Sequence, residues 1–134
     1  MLLEAYLQEL DENIISAPGI KDIHVIRRSV WDTGTEKVAL YRYRLTMIDG
    51  SLLEMNERLI EEKGILSVIK YRHHWQKTDG QLIRRWDNAP HHPKISTFPH
   101  HLHDGSETNV IEHPEIRGSD VLKTVLAQIT EQSH

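Results

Sequence analysis

Two hydrophobic periods divide the chain. Over residues 2–14 the apolar positions recur every three or four residues, with Leu3, Leu7, Leu10 and Ile14 on one face and Glu4, Gln8, Asp11 and Glu12 on the other. That spacing predicts an amphipathic helix, stopped by Pro18-Gly19. From Ile20 to about Asp87 the period changes to two. Strands are predicted over 23–31, 37–47, 52–60, 65–76 and 81–87, each separated from the next by a short polar segment that carries a glycine. Glycine supplies the positive φ that tight hairpins need, and connections this short join only antiparallel neighbours. After Asn88 the periodicity stops. Residues 89–117 read as a Pro- and His-rich loop, with at most one short extended piece near 108–112. Ser119 is the expected cap of a last helix ending near residue 131, with Leu122, Val125, Leu126 and Ile129 turned inward. The expected object is one α+β domain over residues 1–134, a five-stranded antiparallel meander (six with the extended piece) flanked by an N-terminal and a C-terminal helix.

Alternation also predicts register. A three-residue loop with a bulge at Gly50 sets Arg44 opposite Glu54 and Tyr43 opposite Met55. The same choice at Gly64 sets Arg72 opposite Glu54 and Lys70 opposite Asn56. One face then collects Tyr41, Tyr43, Leu45, Met55, Leu59, Ile69, Tyr71, His73 and Trp75, and the helices should cover it. The other face collects Arg42, Arg44, Glu54, Asn56, Arg58, Lys70, Arg72, His74 and Gln76. Two arrangements of the fifth strand stay open.

Composition narrows the classes. A chain of 134 residues without cysteine has neither disulfides nor thiolate metal sites. No apolar run approaches the roughly 20 residues of a membrane span, and the acidic start is unlike a signal peptide, so a cytoplasmic protein without a membrane partner is expected. The net charge is −4, yet residues 21–88 hold thirteen Lys/Arg against ten Asp/Glu. Whole-chain charge speaks against nucleic acid, whereas the middle segment stays open to a phosphate-bearing ligand.

The candidate chemistry lies in residues 71–103, which hold seven of the ten histidines. His91, His92, His100, His101 and His103 could supply metal ligands, but adjacent histidines on an extended chain point apart. Metal binding is therefore the alternative, and the primary reading has no cofactor. Asp87 or Asn88 before Pro90 could form an Asx-turn, with an Arg85–Asp87 pair. Arg42, Arg44, Arg58 and Arg72 outnumber Glu54 and Glu57, the kind of surplus that binds phosphate; a salt-bridged solvent face is the plainer explanation.

The strings His73-His74-Trp75-Gln76, Arg85-Trp86-Asp87-Asn88-Ala89-Pro90-His91-His92-Pro93 and Thr97-Phe98-Pro99-His100-His101, with His103, resemble the TumE family of toxins from type II toxin–antitoxin systems. The resemblance implies a growth-inhibiting protein held in check by an antitoxin, usually a DNA-binding protein of helix-turn-helix type. It brings no catalytic residues with it. The residues themselves fit a small metal-independent ribonuclease, with His74 and one of His91, His92 or His101 as base and acid. Arg85 and Asp87 would assist them, and Arg44, Arg58, Arg72 and Trp86 would hold RNA. A non-catalytic protein- or nucleic-acid-binding module and a metal-dependent hydrolase are the alternatives. Homo-oligomerisation is open.

Overall fold

The computed structural model describes residues 2–132, with side chains through residue 130. Two helices, α1 (Leu2–Ser16) and α2 (Gly118–Gln132), pack on one face of a seven-stranded sheet. The strands are β1 (Ile20–Asp32), β2 (Lys37–Met47), β3 (Leu52–Glu62), β4 (Ile65–Gln76), β5 (Leu82–Asp87), β6 (His101–Asp104) and β7 (Val110–Glu112). Each pairs antiparallel with the next, in the order β1 to β7. The fold is thus α+β with a meander, as expected, but with seven strands. β7 falls on the short extended piece expected near 108–112, whereas β6 lies in the segment expected to be loop. The four-residue β6 has no apolar alternation to announce it, because two of its buried side chains are histidines.

The core forms where α1 and α2 meet the sheet. Leu3, Leu7, Leu10 and Ile14 from α1 and Val121, Leu122, Val125 and Ile129 from α2 are buried against Tyr41, Leu45, Leu53, Met55 and Trp75. Leu126, expected to face inward, is only partly buried. Trp86 and Leu102 extend the same core under β5 and β6. The β2–β3 register places Arg44 opposite Glu54 and Tyr43 opposite Met55, as the Gly50 loop predicts. The β3–β4 register differs from expectation. Lys63 and Gly64 both have positive φ and form a two-residue turn, which shifts the pairing by one residue, and a bulge farther along shifts it by one more, so Glu54 lies opposite His74 rather than Arg72. The bulge takes up Ile69 as an extra residue, which buries Val68 and Tyr71 together and leaves Ile69 exposed. Ile69 therefore does not join the covered face.

One carboxylate breaks the apolar pattern of that face. Glu57 shares parity with Met55 and Leu59 and is completely buried, so it does not neutralise the arginine face. Tyr6 Oη of α1 donates to its Oε1 at 2.8 Å, Tyr41 Oη of β2 donates to the same oxygen, and the Gly118 amide donates to Oε2 at 3.2 Å. That last bond caps α2, satisfying a terminal amide that has no partner within its own helix. The capping role expected of Ser119 thus belongs to a side chain from β3.

This junction generates two expectations. A methyl group on Gly118 would come within 2.5 Å of Tyr41 Oη and 2.8 Å of Glu57 Oε1. Gly118→Ala should therefore destabilise by about 1–3 kcal/mol, read as a lower urea midpoint at unchanged slope. Burial raises the Glu57 carboxyl above its ordinary value of 4.5, against the lowering effect of its donors from Tyr41, Tyr6 and Gly118. The folded chain therefore holds this proton more tightly than the unfolded one. Its stabilising contribution is complete below pH 4.5 and is lost as pH rises through the folded value. Glu57→Gln does not titrate, so wild-type stability should fall relative to this variant as pH rises from about 4 to about 8. Parallel urea midpoints across that range would contradict the assignment.

Candidate functional site

The sheet face away from the helices carries two adjacent rows of polar side chains, fixed by strand register. In one, Arg44, Glu54, His74, Arg85 and His103 lie opposite one another across β2 to β6. In the other, Arg72, Asp87 and His101 span β4 to β6. The ambiguity over β5 is thereby resolved: Trp86 turns inward while Arg85 and Asp87 turn to the open face. Trp86 is 2% exposed, so it packs in the core and offers no surface for base stacking.

Asp87 is the hub of the site. Its Oδ1 accepts from the Ala89 amide at 3.0 Å, which is the Asx-turn expected at this point. Its Oδ2 accepts from Arg85 Nε at 3.2 Å. The same carboxylate faces two imidazoles, His101 Nε2 at 2.9 Å and His103 Nε2 at 3.5 Å. On their other sides, His101 Nδ1 lies 2.9 Å from the Pro99 carbonyl and His103 Nδ1 lies 2.9 Å from the Glu107 carbonyl. Arg85 reaches outward to Glu107, with Nη1 to Oε1 at 2.7 Å. Asp87, His101 and His103 are each at most 5% exposed.

The segment after β5 folds over this floor. It brings the His92 ring within 4.9 Å of the His101 ring and 5.7 Å of the His103 ring, centroid to centroid. One ring nitrogen from each of the three histidines lies within 4.8 Å of the others. A cleft of about 370 Å³ opens above them, with Lys70, Arg72 and His91 also on its walls. A larger hollow of about 540 Å³ sits among the hairpin turns near Asp49, Lys77 and Asp79. It contains no imidazole, so volume alone does not choose the site.

Of the expected site residues, Arg85, Asp87, His91, His92, His101 and Arg72 converge on the cleft. His74 does not line it: its Nε2 lies 3.0 Å from Gln76 Oε1. Two strand spacings of about 4.8 Å set its backbone roughly 10 Å from that of β6. Arg44 lies farther along the same row and shares Glu54 with Arg42. Arg58 sits opposite Lys70, beside the cleft. His100 leaves the cluster, with Nδ1 2.9 Å from Tyr71 Oη. The sequence offers His103 only as a possible metal ligand and does not mark Glu107 at all. The His101-Leu102-His103 alternation was the available signal for His103. Nothing local marks Glu107, which is placed by the β6–β7 turn.

Burial sets the proton affinities around the site. It pushes His73, wholly buried in the core, down to about 3. It also lowers His74, aided by Arg72 and Arg85 and opposed by the contact with Gln76. His103 is lowered too, by burial first, with its bond to the Glu107 carbonyl opposing and Arg85 adding to the shift. The hydrogen bond from Arg85 holds the Glu107 carboxyl below its ordinary range. The cleft therefore combines the Asp87 carboxylate, one imidazole, His103, biased toward the neutral form, and cations at the rim.

Among the described residues no helix is long and apolar enough to cross a membrane. No curated protein and no solved structure gives a match. The family profile described as Toxin TumE matches residues 16–133, which include every strand, the cleft and all of α2. On that match the chain belongs to the TumE toxin family, and the family implies an antitoxin partner.

Proposed function

We propose that this toxin inhibits growth by cleaving RNA at the Asp87–His101–His103 cleft, and that a helix-turn-helix antitoxin restrains it. The observation that carries this reading is a buried carboxylate–imidazole floor beside cations that have no partner. Among the described residues neither Arg58, Lys70 nor Arg72 takes part in an ion pair. Arg42, Arg44 and Arg85, by contrast, are engaged by carboxylates. A salt-bridged face would have consumed these charges. Free cations flanking a reactive floor are what a phosphodiester requires: positive charge on the non-bridging oxygens, and proton-transferring or electrophilic groups at the scissile bond.

His74 is given no role in this reading, because it does not line the cleft and its Nε2 is turned to Gln76. The reacting end is instead the group around Asp87, with Arg72 directly opposite it across β4 and β5.

Purified protein without a polyhistidine tag should cut labelled RNA into discrete fragments. Arg72→Ala should lower kcat/KM by about 10–100-fold, the worth of one hydrogen bond to a charged group. The same change should relieve growth arrest in cells that express the toxin without its antitoxin. RNA that is bound but left intact by the wild-type protein would overturn the ribonuclease reading in favour of a binding module.

A further inference from the structure

The protonation pattern of the cleft floor leaves a gap that a cation fills. A carbonyl oxygen only accepts hydrogen bonds, so His101 and His103 must each carry a proton on Nδ1 to satisfy Pro99 and Glu107. In neutral imidazoles Nε2 then bears a lone pair. Both Nε2 atoms nevertheless face the Asp87 carboxylate, at 2.9 and 3.5 Å. Acceptor facing acceptor at such distances is repulsive unless positive charge lies between them. Two imidazolium ions could supply it. A single metal ion resolves the conflict more simply, because it accepts both lone pairs and the carboxylate together.

We propose that His92, His101, His103 and Asp87 form the binding site of one divalent transition-metal ion of the zinc type. Around zinc, nitrogen ligands 2.0–2.1 Å from the ion lie about 3.3 Å apart. The three imidazole nitrogens already fall within 4.8 Å of one another. Closing on an ion thus needs side-chain movements of about 1 Å, most easily made by His92 on its loop. The outer bonds have the form that fixes metal-bound histidines elsewhere, Nδ1–H to a backbone carbonyl with Nε2 to the metal. The donor set of three imidazoles and one carboxylate, without thiolate, selects zinc-type transition metals over magnesium and calcium. Asp87 is held ready by the Ala89 amide and Arg85.

The site deepens the ribonuclease reading and rests on it for its purpose, but its test needs no RNA. Chelator-stripped, untagged full-length protein is titrated with Zn²⁺ and with Mg²⁺ by calorimetry, and with Co²⁺ by visible absorption. One Zn²⁺ per chain, no comparable Mg²⁺ binding and a Co²⁺ d–d band are expected. His92→Ala removes a half-exposed loop side chain and leaves the core intact; it should weaken Zn²⁺ binding at least about tenfold. His101→Ala should do the same, while His24→Ala, on β1, should keep full stoichiometry. Failure of the wild type to bind Zn²⁺, or undiminished wild-type affinity in both His92→Ala and His101→Ala, would overturn the site. Stoichiometric Zn²⁺ binding with RNA untouched would support the metal site and remove the ribonuclease reading. RNA cleavage by protein that binds no metal would do the reverse.

Discussion

A sheet covered on one side only must sort its side chains by parity. Every residue of β2 to β6 points either under the helices or to the open face, and a slip of one residue exchanges the two sets. The site depends on this sorting more than on any loop. Asp87 and His101 are brought side by side because β5 and β6 pair in one register, which also sets His103 beside Arg85. The same register puts Trp86 and Leu102 beneath them in the core. The bulge at Ile69 serves the same end. Val68 and Tyr71 have opposite parity and can share the buried face only because one residue between them is extra. Apolar burial on one face thereby fixes the spacing of charged groups on the other.

Glu57 is the exception that ties the layers together. A buried carboxylate is expensive unless several donors surround it. Here α1, β2 and α2 each contribute one. The arrangement orients α2 by its first amide and leaves no room for a side chain at Gly118. The cost of burial is visible in the raised carboxyl. The return is that neither helix can slide along the sheet without stranding a donor. The alternation Leu53, Met55, Glu57, Leu59 announced this residue as inward-facing, but its charge suggested the open face. Parity outweighed polarity.

The strands were legible where apolar residues alternate over many positions. β2 and β4 fall where their patterns place them, and the Gly50 loop fixes the β2–β3 register. Legibility failed where fewer residues carried the signal. At Lys63-Gly64 the turn is one residue shorter than the bulged loop, and non-glycine Lys63 takes a positive φ that sequence gives little reason to expect. β6 is hidden because His101 and His103 are buried by polar partners rather than by apolar contact. The site was half legible for the same reason. The convergence of sheet and loop histidines was readable from composition and from the broken period after Asn88. Which histidines meet depends on β6, which brings His103 to the group around Asp87 and leaves His74 outside the cleft.

The strands and the covering segment divide the work unequally. Asp87, His101 and His103 stand on paired strands, and each has a second bond that prevents rotation. Only His92 comes from the connection between β5 and β6, and a connection of that length in a compact domain has to be pinned to be useful. Asn88 pins its start, accepting from the Tyr71 amide and donating to the Ile69 carbonyl, beside the bulge. Thr97 pins its end, donating to the His100 carbonyl and accepting from the His113 amide. The contact of His100 with Tyr71 adds a third attachment. The His92 position is thus set at both ends by bonds to the sheet and to the segment leading into α2. Any ligand that draws His92 toward His101 acts against these attachments, so its affinity is coupled to how firmly the segment is docked, whereas the geometry of the other three groups is settled by the fold.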